Sequence, residues 1–404
     1  MTHVVIVGAG QAGASLAAKL RTVGFEGDIT LIGAEKVPPY QRPPLSKAYL
    51  LGEMAEERLY LRPAAFYDEH NIDLRLNTRV TAIDRMAKTI RLSDESELAY
   101  DELALTTGAH PRTLPAAIGG MLDGVFAVRD LSDADAMAPA FTAGKRVLII
   151  GGGYIGLEAA AVASKLGLQV TLVEMADRIL QRVAAPATSD YFRALHQSHG
   201  VDIREGVGLE RLLGEDRVTG AVLTDSTTLE IDFAVVGVGI NPASILAESA
   251  GIDVGNGITT DIHGRTSDPH IWAAGDCASC LFHGQTIRLE SVGNAIDQAE
   301  AVAVNIAGGD APYAPKPWFW SDQYDCKLQI AGLNIGYSDV YVRMGDAPGV
   351  QSNWYYNGDT LLAVDAMNDP RNYMIGKRLI EAGRSPDPAL ITDPATDMKA
   401  LLKP

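Results

Sequence analysis

The 404-residue sequence is short of several things, and each shortage closes off a class of function. Cysteine occurs three times, as Cys277, Cys280 and Cys326. Three thiols cannot build a disulfide framework, so a reducing cytoplasm is the expected compartment. No uncharged apolar run reaches the ~18 residues of a spanning helix, and Met1-Thr2-His3-Val4 leads straight into a strand-like run. Neither a membrane span nor a leader of the usual form is therefore expected. Positive charge is scarce: 34 Lys and Arg against 51 Asp and Glu leave −17. Nucleic acid is bound mainly by cations set against phosphates, so it is not an expected partner. The eight histidines are scattered and never gather with the cysteines into a four-ligand set, so no metal site is expected.

What is present suits an α/β protein of two or three domains. The length exceeds what one ordinary core supports, and 47% hydrophobic residues with 40 glycines fit many tight strand-to-helix turns. The chain also repeats itself. Val4-Val5-Ile6-Val7-Gly8-Ala9-Gly10-Gln11-Ala12-Gly13 returns 143 residues later as Val147-Leu148-Ile149-Ile150-Gly151-Gly152-Gly153-Tyr154-Ile155-Gly156. Each copy reads as a buried strand, a G-x-G-x-x-G turn and an Ala-rich helix (14–20 and 157–166). A second strand follows, Ile29-Thr30-Leu31-Ile32 or Val170-Thr171-Leu172-Val173. That is a βαβ unit, twice. The first glycine permits the turn, the second admits a pyrophosphate and the third lets helix and strand pack closely. The phosphates then lie on amides at the positive end of the helix. Gly8, Gly10, Ala12 and Gly13 form one candidate cradle; Gly151, Gly153 and Gly156 form the other.

The second unit's second strand ends on Glu174, about 20 residues past the fingerprint, where an acid hydrogen-bonds a ribose hydroxyl. The aligned residue of the first unit is Gly33, so its ribose is expected to be held by Glu35 or by backbone near Ala34. Further on, Leu103-Ala104-Leu105-Thr106-Thr107-Gly108-Ala109 and Phe233-Ala234-Val235-Val236-Gly237-Val238-Gly239-Ile240-Asn241-Pro242 occupy matching places and read as crossing points between domains. Ile271-Trp272-Ala273-Ala274-Gly275-Asp276 is a buried strand ending on a carboxylate, which suits a polyol hydroxyl or a plain turn.

This order of motifs resembles the FAD- and NAD-linked reductases of the glutathione reductase superfamily. Arg42-Pro43-Pro44-Leu45-Ser46-Lys47 and Trp318-Phe319-Trp320-Ser321-Asp322-Gln323-Tyr324 narrow the resemblance to the ferredoxin reductases that serve cytochromes P450 and ring-hydroxylating dioxygenases. The resemblance covers essentially the whole chain. It implies a discontinuous FAD-binding domain at 1–112 and 241–316, an NAD-binding domain at 113–240 and a small α+β C-terminal domain at 317–404. The texture after Pro315-Lys316-Pro317 agrees, with short alternating strands at 328–333, 340–344 and 361–366.

The same resemblance assigns roles. Lys47 reaches the flavin, Glu158 faces it from the second helix, and Trp320 stacks near the ring. Asp276 binds the ribityl chain, while Arg42, Val80, Arg129 and Val292 line FAD and Glu290 contacts the nicotinamide. The expected cofactors are FAD and NADH, and the expected partner is a [2Fe–2S] ferredoxin. An NADH oxidase or peroxidase would place a reactive cysteine near the flavin, and the Lys47 region has none. A protein like apoptosis-inducing factor would carry a targeting segment or a basic surface. The Cys277-Ala278-Ser279-Cys280 spacing is that of a redox pair, but it follows Asp276 and lies away from the positions where related disulfide reductases carry theirs. Because an acidic ferredoxin is repelled by a chain at −17, a local cationic patch is expected. If 371–384 is helical, Arg371, Lys377, Arg378 and Arg384 fall on two adjoining stripes, diluted by Glu381.

Overall fold

The computed structural model describes residues 1–282 and 284–403. The chain divides into two compact units: 1–41, 55–110 and 240–317 form one, and 42–54, 111–239 and 318–404 form the other. The crossings at 110–111 and 239–240 fall where the two matching segments reach their glycine turns. Segment 42–54, inside the stretch expected to belong to the first nucleotide domain, groups with the second unit, as does 318–404.

The first unit is built on a parallel five-stranded sheet in the spatial order Ile72–Arg75, Asp28–Ile32, His3–Val7, Glu102–Leu105, Ile271–Ala273. Its central strands are buried almost end to end, as strands covered on both faces must be. Helix Gln11–Thr22 lies on one face with helix Val292–Ile306 beside it, sharing a core of Val4, Ile6, Leu16, Leu20, Leu31, Trp272, Ala299 and Val302. Antiparallel strands Val80–Asp84, Thr89–Leu92 and Glu97–Ala99 intervene before Glu102–Leu105.

The second unit repeats the plan. Its parallel sheet runs Asp202–Glu205, Gln169–Glu174, Arg146–Ile150, Phe233–Val236, Val125–Phe126, with helix Tyr154–Lys165 against it. Strands Leu209–Gly214, Val218–Leu223 and Thr228–Glu230 form the matching antiparallel insertion. The same unit holds the C-terminal sheet, antiparallel throughout, in the order Trp318–Gln323, Cys326–Gly332, Thr360–Met367, Gln351–Asn357, Asp339–Met344. Helix Pro370–Glu381 packs on that sheet through Tyr373, Ile375 and Leu379. Among the described residues no helix is long and apolar enough to cross a membrane.

Candidate functional site

The two glycine loops show which glycines the protein needs for itself. Gly8 has φ +112 and Gly151 has φ +107, a region that side chains disfavour, and a Cβ on either would strike the carbonyl of Thr106 or Gly237. A Cβ on Gly13 or Gly156 would strike the carbonyl of Gly8 or Gly151. The middle glycines are different. Gly10 (φ −92, ψ −160) and Gly153 (φ −80, ψ 178) have ordinary extended backbones, and a Cβ there would meet nothing within 4 Å among the described residues. Neither conformation nor internal packing demands glycine, so the open space suits a group that approaches the backbone from outside.

Among the described residues the helices behind these loops also lack side-chain caps, although Asp130, Ser291 and Asp369 cap other helices. Their first amides remain available to an anion. Both cradles therefore fit a dinucleotide pyrophosphate.

In the first unit more of the expected residues converge. Gly275 lies against Ala12 and Ala295, which brings Asp276 to the start of helix Gln11–Thr22 and near the N-terminal turn of Val292–Ile306 that Val292 opens. The Gln298 carbonyl accepts from Gly275 N at 2.9 Å, while its buried amide nitrogen has no hydrogen-bond partner among the described residues. A buried donor left so costs free energy, and a ligand's polar atom would relieve it. Arg288 donates to the Asp276 carbonyl (3.1 Å) and pairs with Glu290 (2.6 Å), tying Glu290 to the same region. The Glu35 carboxylate accepts from the Tyr40 hydroxyl (2.6 Å), Ala34 is exposed, and Val80 opens its strand half-buried.

In the second unit Glu174 accepts from Gly152 N (2.7 Å) and Ala176 N (2.8 Å). It thereby holds both the loop and the strand end, and each oxygen keeps acceptor capacity for a ribose hydroxyl. The exposed apolar side chains of Ile155, Met175 and Val238 follow the helix start, the acid and the second crossing strand.

The same unit pairs Lys47 with Glu158, Nζ to Oε1 at 2.8 Å, with side chains 16% and 6% exposed. Glu158 is thus buried rather than solvated. Ser321 donates to the same oxygen (2.7 Å) and Ser46 to the other (3.3 Å). Burial pushes the Glu158 carboxyl above its usual range, opposed by Lys47, Ser321 and Ser46. The sequence named Lys47 and Glu158 but missed both serines, although each sits inside a quoted motif. Arg42 donates to the Arg129 carbonyl (2.8 Å). Trp320 stacks on Trp318 with centroids 5.5 Å apart, and both are half-buried rather than core.

The expected patch of four cations needs correction. The helix ends at Glu381 and Gly383 turns left-handed (φ +63), so the seven-residue stripe never reaches Arg384. That guanidinium instead donates to the carbonyls of Leu401, Leu402 and Lys403. Arg371 pairs with Asp397 (3.1 Å). Lys377 lies 5.6 Å from the centre of the Trp318 ring and 3.8 Å from Glu381, and Arg378 is exposed beside it.

Cys277, Cys280 and Cys326 are free and buried. Burial raises the Cys277 and Cys280 thiols, which disfavours the reactive thiolate.

Comparison with known proteins accounts for the whole chain. Residues 2–299 match the model of the pyridine nucleotide-disulphide oxidoreductase family, and 318–402 match that of the reductase C-terminal domain. The chain is 44% identical to a ferredoxin–NAD(P)+ reductase from a Sphingomonas species, covering 100% of this chain and 99% of that one. It is 42% identical to putidaredoxin reductase of Pseudomonas putida, over 99% and 96% of the two. It superposes on a chain of the solved covalent putidaredoxin reductase–putidaredoxin complex at a TM-score of 0.96 and 41% identity, covering 99% of this chain and 98% of that one. With two open nucleotide cradles, a C-terminal reductase domain and likeness over its full length, the chain belongs to the pyridine nucleotide-disulphide oxidoreductase family.

Proposed function

We propose that the protein is an FAD-containing NADH:ferredoxin reductase that supplies electrons through a [2Fe–2S] ferredoxin to a cytochrome P450 or a ring-hydroxylating dioxygenase. The observation that carries this reading is the pair of open cradles on a chain that matches ferredoxin reductases from end to end. When bound, FAD supplies the conversion of a two-electron hydride into single electrons, which NADH cannot deliver to a one-electron cluster directly.

The residues divide that work. Gly10 leaves room for the FAD pyrophosphate and the amides after it supply hydrogen bonds, while Asp276 accepts from the ribityl chain. Glu35 or the backbone at Ala34 takes the ribose, and Arg42, Val80, Arg129 and Val292 line the cofactor. Gly153 opens the second cradle to NADH, whose adenosine ribose would hydrogen-bond to Glu174. That carboxylate also repels a 2′-phosphate, which favours NADH over NADPH. Lys47, held by Glu158, would supply the positive charge that offsets the negative charge of a reduced flavin. Trp320 and Glu290 are assigned to the ring system and the nicotinamide. Three free, buried thiols accord with a reducing cytoplasm.

The ferredoxin is assigned to the surface around Lys377, Arg378 and Trp318. Local cations there raise the encounter rate of an acidic partner on a chain that is otherwise negative. With added ferredoxin, cytochrome c reduction by NADH should be fast; without it, slow. Reversing Lys377 and Arg378 to Glu should lower the ferredoxin-dependent rate about tenfold at low ionic strength and leave ferricyanide reduction intact. Equal rates with and without ferredoxin would refute the activity. An unchanged rate in the double variant would refute the docking site.

A further inference from the structure

The motif from Trp318 to Tyr324 gives Trp320 to the proposed site, yet the side chains it buries fully are Ser321 and Gln323. His196, from helix Pro186–Ser198, is equally buried. Buried polar groups are costly unless hydrogen-bonded, and these three are joined in a line. His196 Nε2 lies 2.8 Å from Gln323 Oε1, Gln323 Nε2 is 3.1 Å from Ser321 Oγ, and Ser321 Oγ is 2.7 Å from Glu158 Oε1.

The chemistry at one end fixes the direction of the whole line. An ionised carboxylate accepts and never donates. Ser321 therefore gives its one proton to Glu158, and its oxygen must accept from the Gln323 amide. The Gln323 carbonyl then faces His196, whose Nε2 must carry the hydrogen. His196 Nδ1 is left to accept from the Tyr324 hydroxyl, 3.3 Å away. Every donor in the line points toward Glu158. We propose that His196, Gln323 and Ser321 are positioning residues, a polarised chain that keeps Glu158 ionised and aimed at Lys47. This rests on the reading above that the Lys47–Glu158 pair serves hydride transfer.

The surroundings leave Glu158 as the group that titrates. Lys47, from segment 42–54, is the charged group acting on it. Strand Trp318–Gln323 presents Ser321, while Asp322 pairs loosely with Lys327 (3.9 Å). Tyr154, one turn earlier on the same helix, is held neutral because burial drives its hydroxyl far upward. Glu174, at the end of the neighbouring strand, is bonded to loop amides, and strands Arg146–Ile150 and Phe233–Val236 contribute Val147, Ile149, Phe233 and Val235 to the apolar core. Burial pushes His196 down to about 4, reinforced by nearby His199 and opposed by Gln323, so the imidazole is neutral at working pH. A group lifted by burial and pulled down by donors rises again when a donor is lost. Cutting the chain should therefore extend the protonated, inactive form of Glu158 to higher pH.

The test uses the FAD-loaded protein and follows flavin bleaching by NADH across pH. Gln323→Met keeps the side-chain length and removes both hydrogen bonds; Ser321→Ala removes the donor to the carboxylate. The acid limb should move up by about one pH unit in each, with the high-pH rate retained. A Gln323→Met profile that coincides with the wild type overturns the proposal. An independent reading comes from 15N-histidine NMR of the wild-type protein, in which His196 should be the Nε2–H tautomer at neutral pH. The Nδ1–H tautomer overturns the proposal whether or not the variants fold. If Glu158→Gln leaves bleaching unchanged, the hydride-site reading fails, and the tautomer still decides whether the chain points at an ionised Glu158.

Discussion

The two βαβ units share the order of four strands, an antiparallel insertion and a glycine logic, and their loops part at one packing detail. In the first, the loop carries Ala9 and Gly33 follows the strand directly; a Cβ on Gly33 would press on the Ala9 methyl. In the second, the loop carries Gly152 and the strand ends on Glu174, whose carboxylate takes the Gly152 amide (2.7 Å). One side chain has changed sides of the same contact. Where the loop keeps a methyl, the strand end must be bare, and the acid appears two residues later as Glu35, held by Tyr40. Where the loop is bare, the acid sits at the strand end. A repeat thus places its acid in two different positions without altering its backbone plan.

The contrast can be broken at several points. The largest effect is expected at Glu174. Glu174→Ala removes charge-assisted hydrogen bonds of about 1.5–3 kcal/mol, a loss of roughly ten- to a hundredfold in kcat/KM for NADH with far less change for NADPH. Steady-state kinetics with both nucleotides check this; an unchanged preference would show that the acid does not read the ribose. Next comes the packing trade itself. Gly33→Glu should destabilise the protein by about 1–3 kcal/mol through overpacking, and adding Ala9→Gly should recover most of that loss. Denaturant unfolding of the FAD-loaded forms measures both, and a double variant no better than the single would remove the Ala9–Gly33 contact as the cause. The smallest effect is expected at the thiols of the first unit. Changing Cys277 and Cys280 to Ala should leave ferredoxin-dependent turnover within a few-fold of wild type; loss of most activity with FAD still bound would revive the redox-pair reading.

Much of this was legible in the sequence because it rests on local signals. Unbroken Val and Ile runs gave buried parallel strands, and two fingerprints in register gave the two units. The short alternating runs after Pro317 gave the C-terminal sheet. What escaped depends on long-range contact. Lys47 and Glu158 lie 111 residues apart and family resemblance assigns each to the flavin without joining them, while His196 and Gln323, 127 apart, carry no signal of contact at all. Segment 42–54 packs with the second unit although its neighbours in sequence belong to the first. The cationic stripe failed for a local reason that was visible: Gly383 ends the helix before Arg384 can join it.

The first cradle is proposed to hold the flavin and the second NADH, and substitutions at the two middle glycines separate those assignments. A side chain at Gly10 or Gly153 starts into open space, so Gly10→Val and Gly153→Val should both fold. Each purified variant would be assayed for bound FAD and then for flavin bleaching by NADH. The Gly10 variant should lose most of its FAD. The Gly153 variant should retain it and need far more NADH for bleaching. A Gly10 variant with full FAD, or a Gly153 variant that loses FAD and still binds NADH normally, would contradict that division.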